Sequence, residues 1–270
     1  MGDKTTSHLT SPAKDAGQVI GYKLSVIVIT KNEAADIRAC LESVAWADEI
    51  VVVDSGSTDD TVAIAREFTA QVYEHGWPGF GKQKNRALDY ATGDWVLSLD
   101  ADERVTPELR AAIEAVLCNE TDACEAYLVS RLSSYCGRFM RHSGWYPDRI
   151  VRLFRRGSAR FSDDLVHERL LVEGRIGQLD GELLHYAFDD AEEVLHKMDM
   201  YSTAGAQRLK QQGRKATLTG AVLRGMWSFV RTWVLRGGFL DGREGFMLAV
   251  SNAEGTYYRY IKLMLLNRKP

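Results

Sequence analysis

The chain has 270 residues, 45% hydrophobic and 26% charged, with 34 Lys and Arg against 37 Asp and Glu for a net charge of −3. This is ordinary globular composition with material for a sizeable core, and it excludes a disordered tail protein, a collagen and a small disulfide scaffold. The overall basic charge that marks many nucleic-acid binders is absent.

The charge is unevenly spread. Residues 1–199 hold 22 Lys and Arg against 34 Asp and Glu, whereas residues 200–270 hold 12 against 3. A basic, aromatic-rich C-terminal part points to an anionic partner, either a phospholipid surface or a phosphorylated substrate. Cys40, Cys118, Cys124 and Cys136 form no C-x-x-C pair, which favours reduced, structural thiols in a cytosolic protein. The first 22 residues are polar and lack the apolar core of a signal peptide, so they are expected to be a disordered leader. No run of about 18 apolar residues occurs, which argues against a simple membrane-spanning helix.

The first predicted element is Leu24-Ser-Val-Ile-Val-Ile29, a short β-branched run suited to a buried parallel strand. Asn32 is then placed to cap a helix in which Ile37, Leu41 and Val44 recur at helical spacing. A second strand, Glu49–Asp54, leads to a turn at Ser55–Thr58 and a helix reaching about Phe68. Asp59 and Asp60 suit that helix's positive end. Gln71–Tyr73 reads as a short strand. The glycine-rich loop Gly76–Gly81 precedes a helix from about Gln83 to Ala91. Trp95–Leu99 is a third strong strand, and Thr106, Pro107 and Glu108 read as cap, first-turn proline and first-turn acid of a helix to about Leu117. This alternation predicts an α/β fold with a mostly parallel sheet flanked by helices. Residues 126–186 are mixed, and from about Asp190 onward the pattern is helical. The expected organisation is an α/β domain over 23–188 and a helical, basic region over 189–270.

In a parallel sheet, ligands sit at the carboxyl ends of the strands. Three polar clusters fall there: Thr30–Glu33, Asp54–Ser57 and Asp100–Glu103. Asp100-Ala101-Asp102 is the sharpest, because two carboxylates one residue apart at a strand end can share a hard divalent cation with substrate phosphates and water. The plainer alternative is a solvated acidic turn. Asp54 reads either as a turn cap or as an acceptor for a nucleotide's base or ribose. Thr30, Asn32 and Glu33 read as caps or as the floor of the same nucleotide site.

These blocks carry a resemblance. Ser25–Glu33, Val51–Asp59, Lys84-Asn85-Arg86-Ala-Leu88 and Gly93–Glu103, in this order, resemble the signatures of family 2 glycosyltransferases of the GT-A fold, which is Rossmann-like. Three further blocks, Asp148–Arg156, Leu165–Glu168 and Gly238–Phe246, resemble the lipopolysaccharide-core β-1,4-glucosyltransferase subgroup. The resemblance implies an inverting, metal-dependent enzyme that takes a UDP-sugar as donor. Its acceptor would be a lipid-anchored oligosaccharide, an inner-core heptose of lipopolysaccharide or a similar envelope glycan.

The resemblance also implies roles. Thr30, Asn32, Glu33 and Asp54 would hold the donor's uridine. Lys84 and Arg86 would bind the nucleotide or diphosphate, with Lys82 a poorer candidate. Asp100 would sit by the ribose and metal, and Asp102 would ligate Mg²⁺ or Mn²⁺ directly. Glu168 is the expected base, with Asp163 and Asp164 as alternatives, and His167 is a further candidate for the metal or diphosphate. Trp145 would stack on a sugar or lie in the core. Arg149 and Arg152 would capture a phosphate, on donor or acceptor, or else line a solvated edge.

The C-terminal segment has three readings: a helical cap over the sheet, a surface lying on the cytoplasmic face of the inner membrane with Arg224, Arg231 and Arg236 toward its headgroups, or an oligomer interface. The membrane reading accompanies a cytoplasmic protein. Rivals to the transferase reading are sugar transfer to a polyprenyl phosphate, a nucleotidyltransferase, and a non-catalytic membrane-associated module. A nucleotidyltransferase normally has a glycine-rich loop after the first strand, and Thr30–Glu33 contains no glycine. No nucleic-acid recognition motif is present.

Overall fold

Strand β1 (Leu24–Thr30) is buried at every position, as a β-branched run covered on both faces must be. In this computed structural model, which describes residues 21–119, 123–162 and 169–268, β1 is central to a parallel half-sheet. The chain runs from β1 through α1 (Ile37–Ser43), β2 (Glu49–Asp54), α2 (Thr61–Ala65), β3 (Val72–Glu74) and α3 (Phe80–Tyr90) to β4 (Trp95–Asp100). The four strands lie in the order β3-β2-β1-β4. All three neighbouring pairs are parallel.

The chain continues through β5 (Glu103–Val105), α4 (Pro107–Leu117), β6 (Ala126–Tyr135), β7 (Arg138–Phe139), β8 (Asp148–Arg155), β9 (Ala159–Phe161), β10 (Leu170–Val172) and β11 (Ile176–His185). Here the sheet becomes mixed. β8 runs antiparallel to β4, β6 antiparallel to β8, β11 parallel to β6, and β5 antiparallel to β11. β9 and β10 form a separate two-stranded ribbon.

Alternate side chains of β1 feed two cores, following the period of two in a strand. Val26 and Val28 join Ile37, Leu41, Leu109 and Ile113 on the α1 and α4 side. Ile27 and Ile29 join Ala87 and Leu88 on the α3 side. With both faces covered, the accessible part of the parallel half is its C-terminal edge, where β1, β2 and β4 end in polar residues.

The C-terminal part holds α5 (Ala191–Gln211), α6 (Leu218–Val230), a π-helical turn at Arg231–Leu235, a 3₁₀ turn at Gly238–Asp241 and α7 (Gly242–Leu266). α7 packs on both α5 and α6. The block Gly238–Phe246 is a structural knot. Asp241 is buried and accepts from the Arg141 and His142 amides and the Ser143 hydroxyl at 2.9–3.2 Å, with His142 Nδ1 at 3.0 Å. A Cβ at Gly245 would lie 2.0 Å from the Gly238 carbonyl oxygen, so only glycine lets α7 approach this turn.

The expected cap at Thr106 held, and Asp190, near which the helical pattern was expected to begin, proves to cap α5. Thr106 accepts from the Leu109 amide and Asp190 from the Glu193 amide. Asn32 behaves differently from expectation: α1 begins at Ile37, after Asp36. Asn32 has a positive φ of 56°. Its amide donates to Ser57 Oγ at 2.8 Å, and its Oδ1 accepts from the Thr58 amide at 2.8 Å. A tie between two strand-end loops displaces the helical cap. α3 starts earlier than expected because Gly79 takes φ 112° and turns the glycine-rich loop straight into the helix.

Candidate active site

A cleft of about 540 Å³ opens above the ends of β1 and β4. Thr30, Glu33, Lys84, Asp100 and Asp102 all line it. The structure therefore brings together five of the residues singled out from the sequence.

Asp100, the last residue of β4, sits between two buried cations. Its Oδ1 lies 2.9 Å from Lys84 Nζ and its Oδ2 accepts from Arg152 at 2.6 Å. Burial alone would push this carboxyl up, but Arg152 and Lys84 outweigh it and hold Asp100 well below the usual carboxylate range. Arg152 also reaches the fully buried Glu103 at 2.5 Å. Glu103 in turn accepts from the Asp100 amide at 3.1 Å and lies 3.5 Å from Arg131, which is held by Asp148 at 2.7 Å. The bend between β4 and β5 is thus fastened from below by ion pairs. Arg104 fastens it from the side, through Asp36 at 2.7 Å and the Ala101 carbonyl at 3.0 Å.

Asp102 faces the cleft from the same bend but is held differently. Its Oδ2 is 3.3 Å from His185 Nε2, and the other ring nitrogen of His185 is 2.9 Å from Ser133 Oγ. Its Oδ1 is buried and has no hydrogen-bond partner among the described residues. Thr30 Oγ1, across the same cleft, is likewise buried and unpartnered among the described residues. Buried polar atoms in folded proteins are normally satisfied, so two unpartnered oxygens on residues of one cleft are the candidates for ligand contact. Of the two carboxylates, Asp102 is the one with an oxygen that no neighbour among the described residues engages, whereas each oxygen of Asp100 meets a cation. Among the described residues no three His, Cys, Asp or Glu side chains are grouped to hold a metal. A cation here would take its remaining oxygens from substrate phosphates and water.

Glu33 is pushed up to about 7 by burial first, then by the negative charges of Asp102 and Asp36. Asn32 and Asp54 stand beside the cleft rather than on its lining. Asp54 is fully buried and accepts from the Gly56 and Ser57 amides at 2.7 and 2.8 Å and from the Ser57 hydroxyl. Arg86 turns toward the glycine-rich loop, donating to the Gly76 carbonyl at 2.8 Å. Lys82 is exposed on α3. Trp145 packs its ring 5.8 Å from Tyr135 and 5.9 Å from Phe188, beside a second cavity of about 210 Å³. Arg149 is exposed on β8, whereas Arg152 on the same strand is committed to Asp100 and Glu103. Asp163, Asp164, His167 and Glu168 lie outside the described residues.

Several cleft residues carried no local signal. His185 is brought to Asp102 by the pairing of β11 with β5, where it stands opposite Glu103. Lys197 and Tyr201 of α5 also line the cleft. Lys197 donates to the Ala187 carbonyl at 2.8 Å, pairs with Glu193 at 2.6 Å and lies 4.6 Å from the Phe188 ring. Trp77 and Phe80 meet edge to face at 4.7 Å on the opposite wall, each nearly half exposed. Their place in the glycine-rich loop was visible, but their role was not.

Comparisons with known proteins place the chain in a family. Residues 25–160 match the family model for glycosyl transferase family 2. An uncharacterized glycosyltransferase of Rickettsia prowazekii is 32% identical over 258 residues, which cover 92% of this chain and 88% of that protein. The chain belongs to glycosyltransferase family 2. The lipopolysaccharide core biosynthesis glycosyltransferase LpsC of Rhizobium meliloti is 31% identical, covering 89% of this chain and 91% of that protein. Among solved structures, Staphylococcus aureus TarS aligns with a TM-score of 0.45 at 20% identity, over 69% of this chain and 40% of that one. The chain is a glycosyltransferase with a family 2 catalytic core, carried on a mixed sheet with flanking helices and followed by a helical C-terminal part.

Two measurements test the electrostatics. Arg152→Met leaves the fully buried Glu103 with only Arg131 at 3.5 Å and takes one of two cations from the part-exposed Asp100, and it should cost about 3–5 kcal/mol in urea unfolding, whereas a loss below about 1 kcal/mol would mean the ion pairs do not fasten the bend. In metal-free protein, the folded state retains a proton on Glu33 between pH 4.5 and about 7 that the unfolded chain releases. Stability should therefore fall as pH rises through that window. Solvent in the cleft screens part of the effect, leaving on the order of 1 kcal/mol. Glu33→Gln should flatten the slope, and an unchanged slope would assign it to other groups.

Proposed function

We propose that this glycosyltransferase moves a hexose, glucose by the resemblance of its motifs, from a UDP-sugar to an inner-core heptose of lipopolysaccharide or a similar envelope glycan. Transfer proceeds with inversion and with a bound Mg²⁺ or Mn²⁺. The observation that carries the reading is the contrast within one cleft between Asp100, clamped by two cations, and Asp102, whose Oδ1 is buried without a partner. The likeness to LpsC supports the acceptor class.

In this reading Asp102 holds the cation through Oδ1, with His185 Nε2 beside its other oxygen. The metal, when bound, neutralises charge on the departing diphosphate. Asp100 is kept ionised by Lys84 and Arg152 and accepts from the donor's ribose, while the same cations prevent its charge from repelling the diphosphate. Thr30 Oγ1 and Glu33 meet the uridine. Asn32 and Asp54 keep the loops after β1 and β2 in register so that these groups stay aimed. Arg86 steadies the glycine-rich loop that carries Trp77 and Phe80. Glu168 takes the proton of the attacking hydroxyl, with Asp163 or Asp164 as alternatives, and His167 is a further metal or diphosphate contact. Trp145 and the exposed Arg149 serve the acceptor side. The acceptor is anchored by lipid, which puts the enzyme's work at the cytoplasmic face of the inner membrane.

Calorimetry with UDP-glucose, UDP-galactose and UDP-N-acetylglucosamine, each with Mn²⁺, Mg²⁺ or EDTA, tests the donor and the metal together. One donor should bind in a metal-dependent way, and Asp102→Ala should abolish that dependence without changing the melting temperature. No binding of any UDP-sugar would overturn the reading. Glu168→Gln should keep donor binding but slow UDP release in the presence of acceptor by roughly 10²–10⁴-fold, and a near-normal rate would transfer the base to Asp163 or Asp164.

A further inference from the structure

Helix α6 is built the opposite way from an ordinary amphipathic helix. Its buried residues are the small Ala221 and Gly225. A Cβ at Gly225 would stand only 3.2 Å from the Ala253 carbonyl oxygen, so α6 and α7 approach closely through small side chains. The bulky apolar residues point outward: Leu223 is 60% exposed, Met226 62% and Trp227 58%. Val230, Val234 and Leu235 extend the exposed ridge into the π-helical turn. Counted at 100° per residue, Leu223, Met226, Trp227 and Val230 fall within one half of the helix surface, and Arg224 and Arg231 flank its edge.

The charge around this ridge has a single sign. No Asp or Glu occurs between Asp199 and Asp241, whereas seven Lys or Arg do. Arg224, Arg231 and Arg236 are all exposed. Arg224 lies 4.5 Å from the Tyr260 ring and donates to the Gly220 carbonyl at 2.9 Å, which holds it at the border of the apolar face. The first carboxylate after the ridge, Asp241, is buried in its own knot of hydrogen bonds. No helix among the described residues is long and apolar enough to cross a membrane.

From this surface we infer that the α6 ridge lies in the interface of an anionic phospholipid bilayer, with Met226 and Trp227 among the acyl chains and the flanking arginines at the phosphates. Both halves of the surface are then satisfied: the apolar residues leave water, and the cations meet lipid headgroups. A second copy of the chain fits less well. A two-fold contact through this ridge would bring its uncompensated arginines against their own counterparts. The inference names the partner surface for the membrane-anchored acceptor proposed above and rests on that reading for its purpose.

The test is flotation of the full chain with vesicles of phosphatidylglycerol and phosphatidylcholine, compared with phosphatidylcholine alone, with no donor or acceptor present. The protein should float with the anionic vesicles and should be released by high salt. The double variant Met226→Ser, Trp227→Ser should lose at least about tenfold in partitioning, as should Arg224→Gln, Arg231→Gln. Both should keep the wild-type melting temperature and UDP binding. Quenching of wild-type tryptophan fluorescence by brominated lipid gives a readout that needs no variant. Absence of both flotation and quenching would overturn the inference while leaving the transfer reaction untouched. A concentration-dependent dimer that the Met226, Trp227 variant dissolves would equally overturn it, by assigning the ridge to a second copy.

Discussion

The active-site bend depends on one buried cation. Arg152 reaches from β8 to the end of β4 and holds Asp100 and Glu103 together, two carboxylates three residues apart that would otherwise repel. Lys84 closes the other side of Asp100 from α3. Such pairs are costly to bury and gain little stability over apolar packing, so their value lies in fixing a geometry. Here the geometry is that of the next carboxylate. With Asp100 clamped and the Glu103 carboxylate tied to the Asp100 amide, Asp102 is presented to the cleft at a set position with one oxygen unspent. The oxygen proposed to hold a cation is left unengaged among the described residues while its neighbours are paired.

The same logic explains why the sheet changes character at β4. A purely parallel sheet would continue through another crossover helix. Instead β8 enters antiparallel and carries Arg152 beneath the strand end. β11 then brings His185 opposite Glu103 through its pairing with β5. The mixed half adds a second counter-ion to Lys84 and brings the imidazole of His185 to Asp102. α5 adds Lys197 and Tyr201 from beyond the sheet, so the cleft walls come from five separate stretches of chain.

The parallel half was legible in the sequence because its signals are local. Strand runs, the Thr106 cap and the acidic strand ends each depend on a few neighbouring residues, and all lie where the pattern placed them. The change to a mixed sheet and the approach of His185 depend on pairing across about 80 residues, and nothing in the residues around His185 encodes its partner. Arg152 shows the limit best. In sequence it stood with Arg149 on an apolar strand, equally suited to a solvated edge or a phosphate. Only the register of β8 on β4 separates it, buried under Asp100, from the exposed Arg149. Asn32 shows the same limit at shorter range, since a helix cap and a tie to the neighbouring loop use the same side-chain oxygen.

The C-terminal helices join the two halves of the functional argument. α5 lines the cleft and packs on α7, and α7 packs on α6, whose outer face is the apolar ridge. The Asp241 knot ties the turn before α7 to the loop between β7 and β8, and the small residues of α6 seat it closely on α7. A ridge attached this way is not a loose tail. Its small inward face and large outward face make sense if the stability of α6 comes from close helix packing and its bulk is kept for another surface. The second cavity, walled by Trp145, Lys197, Tyr201 and Ser228, lies between the inner side of these helices and β6, and it shares Phe188, Lys197 and Tyr201 with the cleft. The ridge is therefore joined through packed helices, rather than a flexible linker, to the walls of the cleft.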